Sequence, residues 1–181
     1  MKNLRKVSAP AICLLATFLS AVMYTPVLAL PTKAKQALVV DYSTGRTLLA
    51  KDADAPMHPA SMTKMMTAFM VFDRLRSGTL SLDTKFRVSK RAWKKGGSRM
   101  FLKVNDTVSV EDLIRGIIVQ SGNDASIVIA EGISGSEEDF AREMTEKAHE
   151  IGMKNSTFKN ASGWPDEEHL TTARDLATLI H

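Results

Sequence analysis

The segment Ser61-Met62-Thr63-Lys64 places a serine hydroxyl and a lysine amine three residues apart. At the start of a helix, residues i and i+3 share a face, so the amine can lie beside the hydroxyl. Serine is a weak nucleophile that needs an adjacent base, and lysine can be that base when burial lowers its pKa. Apolar residues follow Lys64, and Pro59 precedes the helix start, whose free N–H groups favour a developing oxyanion. The pattern therefore indicates a serine nucleophile activated by lysine.

The same pattern has a structural interpretation, in which Ser61 is only a helix N-cap and Lys64 is a solvated residue of the first turn. It also occurs at Ser156-Thr157-Phe158-Lys159, in a polar stretch to which we assign no function. A second motif, Ser121-Gly122-Asn123, lies between two predicted helices, where a loop can present a hydroxyl and a carboxamide to a cleft. A glycine C-cap is the structural alternative there. The two motifs together favour an active site over two ordinary helix ends.

The elements that position these motifs are predicted from hydrophobic patterns and helix-end signals. Two β-type runs at 36–41 and 46–51 predict a hairpin around Tyr42-Ser43-Thr44-Gly45. The helix that carries Lys64 should extend over 61–76, with apolar residues over most of its circumference, as in a buried central helix. Later helices are predicted to begin at Ser109, Asp124, Ser136 and Thr172, and the one from Asp124 should end near Glu131.

The N-terminal residues 1–29 have the three-part layout of a secretory signal peptide. Lys2, Arg5 and Lys6 precede an uncharged apolar stretch, and small residues precede a cleavage position after Ala29. An uncleaved transmembrane anchor is the alternative. Removal of three of the 24 Lys and Arg residues leaves 21 against 20 Asp and Glu, a nearly neutral chain that gives no support for nucleic-acid binding. We therefore expect the remaining residues, 30–181, to function outside the cytoplasm.

Composition narrows the remaining possibilities. The chain has 181 residues, of which 44% are hydrophobic and 24% charged, as is typical of a folded globular domain. Its single cysteine, Cys13, excludes a disulfide framework and a cysteine-based zinc site. The four histidines lack metal-binding spacing, so no metal or other cofactor is expected. The basic stretch 89–99 contains Trp93 and could hold an anionic polymer, but a solvated loop is the favoured interpretation.

Several blocks of the sequence together point to one family. They are Pro59-Ala60-Ser61-Met62-Thr63-Lys64, Met100-Phe101-Leu102-Lys103, Gln120-Ser121-Gly122-Asn123-Asp124-Ala125, Asn160-Ala161-Ser162-Gly163-Trp164 and Thr171-Thr172-Ala173-Arg174-Asp175. The chain resembles the D-alanyl-D-alanine carboxypeptidases, the low-molecular-mass penicillin-binding proteins related to serine β-lactamases. The resemblance extends over essentially all of the chain after residue 29, with Trp164 where the family's Asn-x-x-Gly-Leu turn has leucine.

This resemblance implies a role for each site residue. Ser61 would be the acylated nucleophile, Lys64 its general base, Ser121 a proton relay to the leaving group, and Asn123 a ligand of the substrate's amide backbone. The implied fold is α+β and β-lactamase/transpeptidase-like, an antiparallel sheet flanked by helices with a helical subdomain. The implied substrate is the peptidoglycan stem pentapeptide, which loses its terminal D-alanine, with β-lactam antibiotics as inhibitors. The implied location is the periplasm or the outer face of a bacterial inner membrane.

One family motif, Lys-Thr-Gly on a later strand, does not occur in the sequence. It binds the substrate carboxylate, and its strand donates to the oxyanion, where loss of one donor can cost ~10²–10³ in rate. We therefore expect residues 30–181 to be part of a catalytic domain that lacks its C-terminal strands and is inactive alone. A class A β-lactamase would carry a Glu-x-x-Leu-Asn segment, which is absent here. Another class of serine β-lactamase and a non-catalytic cell-wall-binding module are the alternatives.

Overall fold

The computed structural model describes residues 32–180, so the predicted signal peptide lies outside the described range. The strands are β1 (Ala37–Val40), β2 (Thr47–Lys51), β3 (Lys85–Arg87) and β4 (Thr107–Ser109). The helices are α1 (Thr63–Arg76), α2 (Lys90–Lys94), α3 (Val110–Gln120), α4 (Asn123–Ser134), α5 (Glu137–Glu150) and α6 (Ala173–Ile180), and a 3-10 turn (Ala60–Met62) leads into α1. The strands form two antiparallel pairs, β1–β2 and β3–β4. The predicted α+β class is confirmed.

The predicted N-terminal hairpin is also confirmed. β1 and β2 pair antiparallel, with Ala37 opposite Lys51. In the turn, Gly45 has a φ of +69°, a conformation that glycine adopts without steric cost. The Asp41 carboxylate accepts hydrogen bonds from the amide and the hydroxyl of Thr44, which fixes the turn. α6 packs against β1 on the other side of this hairpin's first strand.

The hydrophobic core lies between α1, α3, α4 and α5. Met66, Met70 and Val71 of α1 are fully buried in it. α1 is therefore a central helix, as predicted, but Met65 and Phe72 are 38% and 48% exposed. The prediction that α1 is buried over most of its circumference is therefore wrong for the side that carries Met65 and Phe72. That side borders the cleft described below.

Between α1 and α3, the chain forms a second antiparallel strand pair that the sequence patterns did not predict. β3 pairs with β4, and Phe86 lies opposite Val108. The ring of Phe86 packs directly on Gly132 of α4, where a side chain would not fit. Each strand has only three residues, so neither produces a recognisable alternation of apolar and polar positions.

The basic stretch forms the short helix α2, so its interpretation as a solvated loop is wrong for residues 90–94. Ser89 caps this helix by accepting a hydrogen bond from the amide of Ala92, whose side chain is fully buried. The guanidinium of Arg91 pairs with Glu137 and Glu138 at the start of α5, at 2.8 Å in each case. Part of the positive charge of this stretch therefore joins α2 to α5.

The helix ends follow the predicted signals closely. Ser109 caps α3 and Ser136 caps α5, each by accepting from the amide three residues further along. α4 begins at Asn123 and continues to Ser134, so it is longer than the predicted 124–131. No helix within residues 32–180 is long and apolar enough to cross a membrane.

Candidate active site

Ser61 lies in the 3-10 turn that leads into α1 and is exposed to solvent. Ala60 before it has a φ of +47°, and the Met62 amide donates to the Pro59 carbonyl at 3.0 Å. No side chain caps either this turn or α1. The structural interpretation of Ser61 as an N-cap is therefore wrong, and its hydroxyl is left at the helix start, facing solvent.

The segment before Ser61 is held by residues that lie far along the chain. Met57 and Thr171 exchange two backbone hydrogen bonds, at 2.8 and 2.9 Å. Nδ1–H of His58 donates to the backbone carbonyl of His169 at 3.1 Å. These contacts fix the chain's approach to Ser61 independently of α1.

Lys64 lies one helical turn after Ser61 and is buried, with 5% of its surface exposed. Its Nζ donates to the Ser162 carbonyl at 2.7 Å and to the Ser61 hydroxyl oxygen at 3.4 Å, the second at the long end of the hydrogen-bonding range. Burial lowers the pKa of Lys64 to about 8. The proximity and the burial predicted for this pair are both present, and a sizeable fraction of Lys64 is neutral in mildly alkaline solution.

The Ser162 carbonyl belongs to a tight turn formed by residues 160–163, called the 160–163 turn below. The side-chain oxygen of Asn160 accepts from the amides of Gly163 and Trp164 at 2.8 and 2.9 Å, while its amide group donates to the Trp164 carbonyl at 2.9 Å. Gly163 has a φ of +78° and lies directly against the Ala60 carbonyl, so that a Cβ there would overlap it. The turn therefore closes directly onto the backbone next to Ser61.

The 160–163 turn is also attached to the middle of α1. The hydroxyl of Thr67, which is fully buried, donates to the Ala161 carbonyl at 2.7 Å. Lys64 and Thr67 are three residues apart on one helix face and bond two consecutive carbonyls of the turn. The lysine base candidate is consequently held between its own helix and a rigid turn.

Ser121 is the C-cap of α3 and has a left-handed backbone, with a φ of +54°. Together with Ser61 and Lys64 it lines a cleft of about 380 Å³. The rest of the lining is apolar and comes from α1 and α3: Met65, Ala68, Phe72, Ile117 and Ile118. The structure thus brings three of the four predicted site residues together in one cleft.

Asn123, the fourth predicted residue, is not part of this lining. Its side-chain amide donates to the Gly96 carbonyl at 2.9 Å, and its backbone amide donates to the Ser98 carbonyl at 2.8 Å. Both acceptors belong to residues 95–98, called the 95–98 loop below. Lys95 of that loop lies over the Trp164 ring, at 4.1 Å from its centroid. The amide group of the carboxamide is therefore bonded to a loop.

His169 is 2% exposed and contacts Thr63, the first residue of α1. Its Nδ1 accepts from the Lys159 amide at 3.2 Å, so the neutral ring carries its proton on Nε2, which donates to the Thr63 hydroxyl at 2.9 Å. Burial lowers the pKa of His169 to about 4, which keeps the ring neutral near pH 7. No cluster of three or more His, Cys, Asp or Glu side chains within residues 32–180 is placed to hold a metal ion.

The second Ser-x-x-Lys pattern has a structural role. The Ser156 hydroxyl is fully buried and donates to the Asp175 carboxylate at 2.7 Å. Lys159 pairs with Glu168 at 2.8 Å on the surface. The serine and the lysine of this pattern therefore have separate partners, as expected for a pattern without a catalytic function.

Sequence reasoning missed the contribution of the Ser162 carbonyl to the lysine's surroundings. A backbone acceptor has no residue-type signature, because any residue supplies one. The only available signal was Asn160, which is two residues before Ser162 and forms the turn that presents this carbonyl.

Comparison with known proteins gives a consistent result. The sequence model of the D-alanyl-D-alanine carboxypeptidase family matches residues 24–181 of this chain. The D-alanyl-D-alanine carboxypeptidase DacF of Bacillus subtilis (strain 168) is 41% identical over 147 residues, which cover 81% of this chain and 38% of that protein. The chain therefore spans well under half of the length of this relative.

Solved structures show the same similarity in three dimensions. The crystal structure of the D-alanyl-D-alanine carboxypeptidase DacD from Francisella tularensis superposes with a TM-score of 0.81 at 40% identity, over 83% of this chain and 37% of that one. Penicillin-Binding Protein D2 from Listeria monocytogenes in its ampicillin-bound form superposes with a TM-score of 0.73 at 31% identity, over 83% of this chain and 61% of that one. These similarities confirm the β-lactamase/transpeptidase-like fold expected from the sequence.

Proposed function

The chain belongs to the D-alanyl-D-alanine carboxypeptidase family, and from that premise we propose that it supplies part of the active site of a serine enzyme that removes the terminal D-alanine from peptidoglycan stem peptides. One observation carries the proposal. A buried lysine with a pKa near 8 lies 3.4 Å from an exposed serine hydroxyl at a helix start. This arrangement supplies a nucleophile and its base in one place.

Acylation starts at Lys64. In its neutral form, the amine takes the proton of the Ser61 hydroxyl while the serine oxygen attacks the carbonyl carbon of the penultimate D-alanine. The new oxygen–carbon bond places negative charge on the carbonyl oxygen, and collapse of this intermediate breaks the bond to the nitrogen of the terminal D-alanine. The Ser162 carbonyl, at 2.7 Å from the Lys64 amine, stabilises the ammonium that forms in this step.

The leaving nitrogen must receive a proton before the terminal D-alanine departs. Ser121 lines the same cleft as Ser61 and Lys64, so its hydroxyl can pass a proton from the Lys64 ammonium to that nitrogen. Water then attacks the ester with Lys64 again as base and releases the shortened peptide. Asn123 would bind the substrate's amide backbone after giving up its hydrogen bond to Gly96.

The proposal includes inhibition by β-lactams and export from the cytoplasm. A similar penicillin-binding protein has been solved in an ampicillin-bound form, and the same attack by Ser61 on a lactam carbonyl would open the ring and leave an ester. The signal peptide proposed for residues 1–29 would deliver the protein to the periplasm or to the outer face of the inner membrane, where peptidoglycan is found.

The test is mass spectrometry of the full-length protein, intact and after digestion to peptides, following incubation with a penicillin. A second assay measures D-alanine release from a stem pentapeptide. We expect one penicillin adduct on the peptide that contains Ser61, and neither adduct nor D-alanine release after Ser61→Ala. The control is Ser156→Ala in the second Ser-x-x-Lys pattern, which should keep the adduct.

Two outcomes would contradict the proposal. An adduct that survives Ser61→Ala would place the nucleophile elsewhere. Rapid penicillin turnover without release of D-alanine from the pentapeptide would indicate a β-lactamase.

A further inference from the structure

Glu137 is a buried carboxylate for which the proposed reaction has no direct use. It is the first residue of α5, and only 2% of it is exposed. One carboxylate oxygen accepts from the Arg91 guanidinium at 2.8 Å, and the other accepts from the Ala161 amide at 3.1 Å. Buried carboxylates are rare unless they are paired, and the N-terminus of a helix favours negative charge.

The second of these hydrogen bonds leads to the active site. Ala161 is fully buried and immediately precedes Ser162, whose carbonyl accepts from Lys64 at 2.7 Å. The Ala161 amide is bonded to Glu137 and its carbonyl to Thr67 at 2.7 Å. The residue before the lysine's acceptor is therefore anchored through its amide from α5 and through its carbonyl from α1.

Glu138 provides an internal comparison. It is the next residue of α5 and also pairs with Arg91, at 2.8 Å, but its side chain is 60% exposed. Its carboxylate accepts from Arg91 on the surface, whereas Glu137 reaches the 160–163 turn. The two carboxylates thus share the same cation and differ in what else they hold.

We propose that Glu137 is a positioning residue for Lys64, which acts through the hydrogen bond from the Ala161 amide and thereby places the Ser162 carbonyl against the lysine amine. This inference rests on the proposed function of Ser61 and Lys64. What Glu137 contributes is a hydrogen-bond acceptor at a fixed distance. The negative charge serves mainly to pair with Arg91.

The test separates acceptor position from charge in the full-length protein, with the rate of acylation by a fluorescent penicillin as the readout. Glu137→Gln removes the charge and the acceptor for Arg91, which retains Glu138, but keeps one acceptor oxygen at the same reach for the Ala161 amide, so we expect a rate within about threefold of the wild type. Glu137→Asp keeps the charge but shortens the side chain by one methylene, so the acceptor withdraws from Ala161. We expect a loss of about tenfold or more, since small misplacements of a catalytic group are costly.

A second readout is the pH profile of acylation. Displacement of the Ser162 carbonyl in Glu137→Asp should let water reach Lys64, which is buried in the wild type. The midpoint of the profile should then move to higher pH in Glu137→Asp and stay in place in Glu137→Gln. Glu138→Ala, which removes the other partner of Arg91, should change neither the rate nor the midpoint.

The opposite pattern would overturn the inference: a wild-type rate in Glu137→Asp, or an equal loss in Glu137→Gln, would mean that charge or ordinary packing is what matters. If Glu137→Asp does not fold, Thr67→Val tests the anchoring of Ala161 through its carbonyl and should lower the rate with the same alkaline shift; an unchanged rate there would also overturn the inference. Acylation of the wild type at Ser61 with no effect in any of these variants would reject the role of Glu137 alone. Failure of the wild type to react would reject the proposed function.

Discussion

The two sides of the cleft are held in different ways. On one side, Lys64 is buried between α1 and the 160–163 turn, and both partners of its amine are in place. On the other side, Ser121 ends α3 in a left-handed conformation, and the carboxamide of Asn123, two residues later and outside the lining, is bonded to the exposed 95–98 loop. The lysine is therefore enclosed by buried contacts, whereas the carboxamide depends on an exposed loop.

Only one of these contacts is local in sequence. Ser61 and Lys64 meet because they are three residues apart at a helix start, and local geometry alone brings them together. The position of Asn123 depends on Gly96, which is 27 residues earlier. A local pattern can therefore predict the pairing of Ser61 with Lys64, but neither the Ser162 carbonyl, 98 residues after Lys64, nor the partner of Asn123.

The largest effect should come from Lys64→Arg. A guanidinium keeps the positive charge but does not give up its proton, so the base is lost. We expect acylation of the full-length protein by a penicillin to fall about 10²–10⁴-fold, as removal of a general base does. Lys159→Arg, in the second Ser-x-x-Lys pattern, should react like the wild type. A normal acylation rate in Lys64→Arg would remove Lys64 from its proposed role.

The closure of the 160–163 turn onto Ala60 is tested by Gly163→Ala. The new Cβ would overlap the Ala60 carbonyl at a φ of +78°, so both strain and a clash are expected. Gly135→Ala is the matched control, since its φ is +82° with nothing within 4 Å of the added atom. Left-handed backbone alone costs an alanine roughly 1–2 kcal/mol.

Urea unfolding and acylation rates should separate these two glycine variants. Gly163→Ala should lose more stability than Gly135→Ala, and only Gly163→Ala should acylate more slowly. Equal stability losses and unchanged acylation in both variants would show that the turn does not constrain Ser61.

On the other side of the cleft, Ser121 combines a proposed chemical role with a left-handed backbone. Ser121→Ala removes the hydroxyl and should lower D-alanine release by about 10²-fold. Ser121→Gly removes the same hydroxyl but relieves the left-handed backbone at a φ of +54°, so it should be more stable than Ser121→Ala and equally slow. Full activity in the glycine variant would show that only the backbone conformation matters at this position.

The smallest effect should come from Asn123→Ala. The variant loses one neutral hydrogen bond to substrate, for which about tenfold weaker binding is expected. Since the wild-type carboxamide must first leave the Gly96 carbonyl, part of its contribution is already offset in the free protein. The measurement is the penicillin concentration that gives half the maximal acylation rate, and an unchanged value would exclude Asn123 from substrate binding.

The elements that sequence patterns predicted share strong local signals. Ser109 and Ser136 were recognised as caps because a serine hydroxyl bonds an amide only three residues away. β3 and β4 were missed because they are stabilised by pairing with each other, and the paired residues Lys85 and Ser109 are 24 positions apart in the sequence. α2 was missed because its mostly basic residues show no periodic pattern of apolar positions. The ion pairs of Arg91 with α5 join residues that are distant in the sequence, so no local pattern predicts them.

The candidate site divides in the same way. Ser61, Lys64 and Ser121 could be predicted from residue types and spacing, and the structure places them in one cleft. The Ser162 carbonyl and the Glu137 carboxylate could not, because the first is a backbone atom and the second acts through a hydrogen bond to a residue 24 positions away. Their contribution depends on tertiary packing that spacing alone does not encode.

The account depends most directly on the pKa of Lys64 in the folded protein. We expect an NMR titration of its labelled ε-carbon, assigned by comparison with Lys64→Arg, to give a midpoint of about 8 in place of the ordinary 10.5. Because the neutral amine is the proposed base, the acylation rate should rise with pH through the same midpoint. Because the unfolded chain binds more protons between about 8 and 10.5, stability should also rise with pH across that window. A midpoint near 10.5 with acylation that does not follow it would contradict the claim that burial prepares Lys64 to activate Ser61.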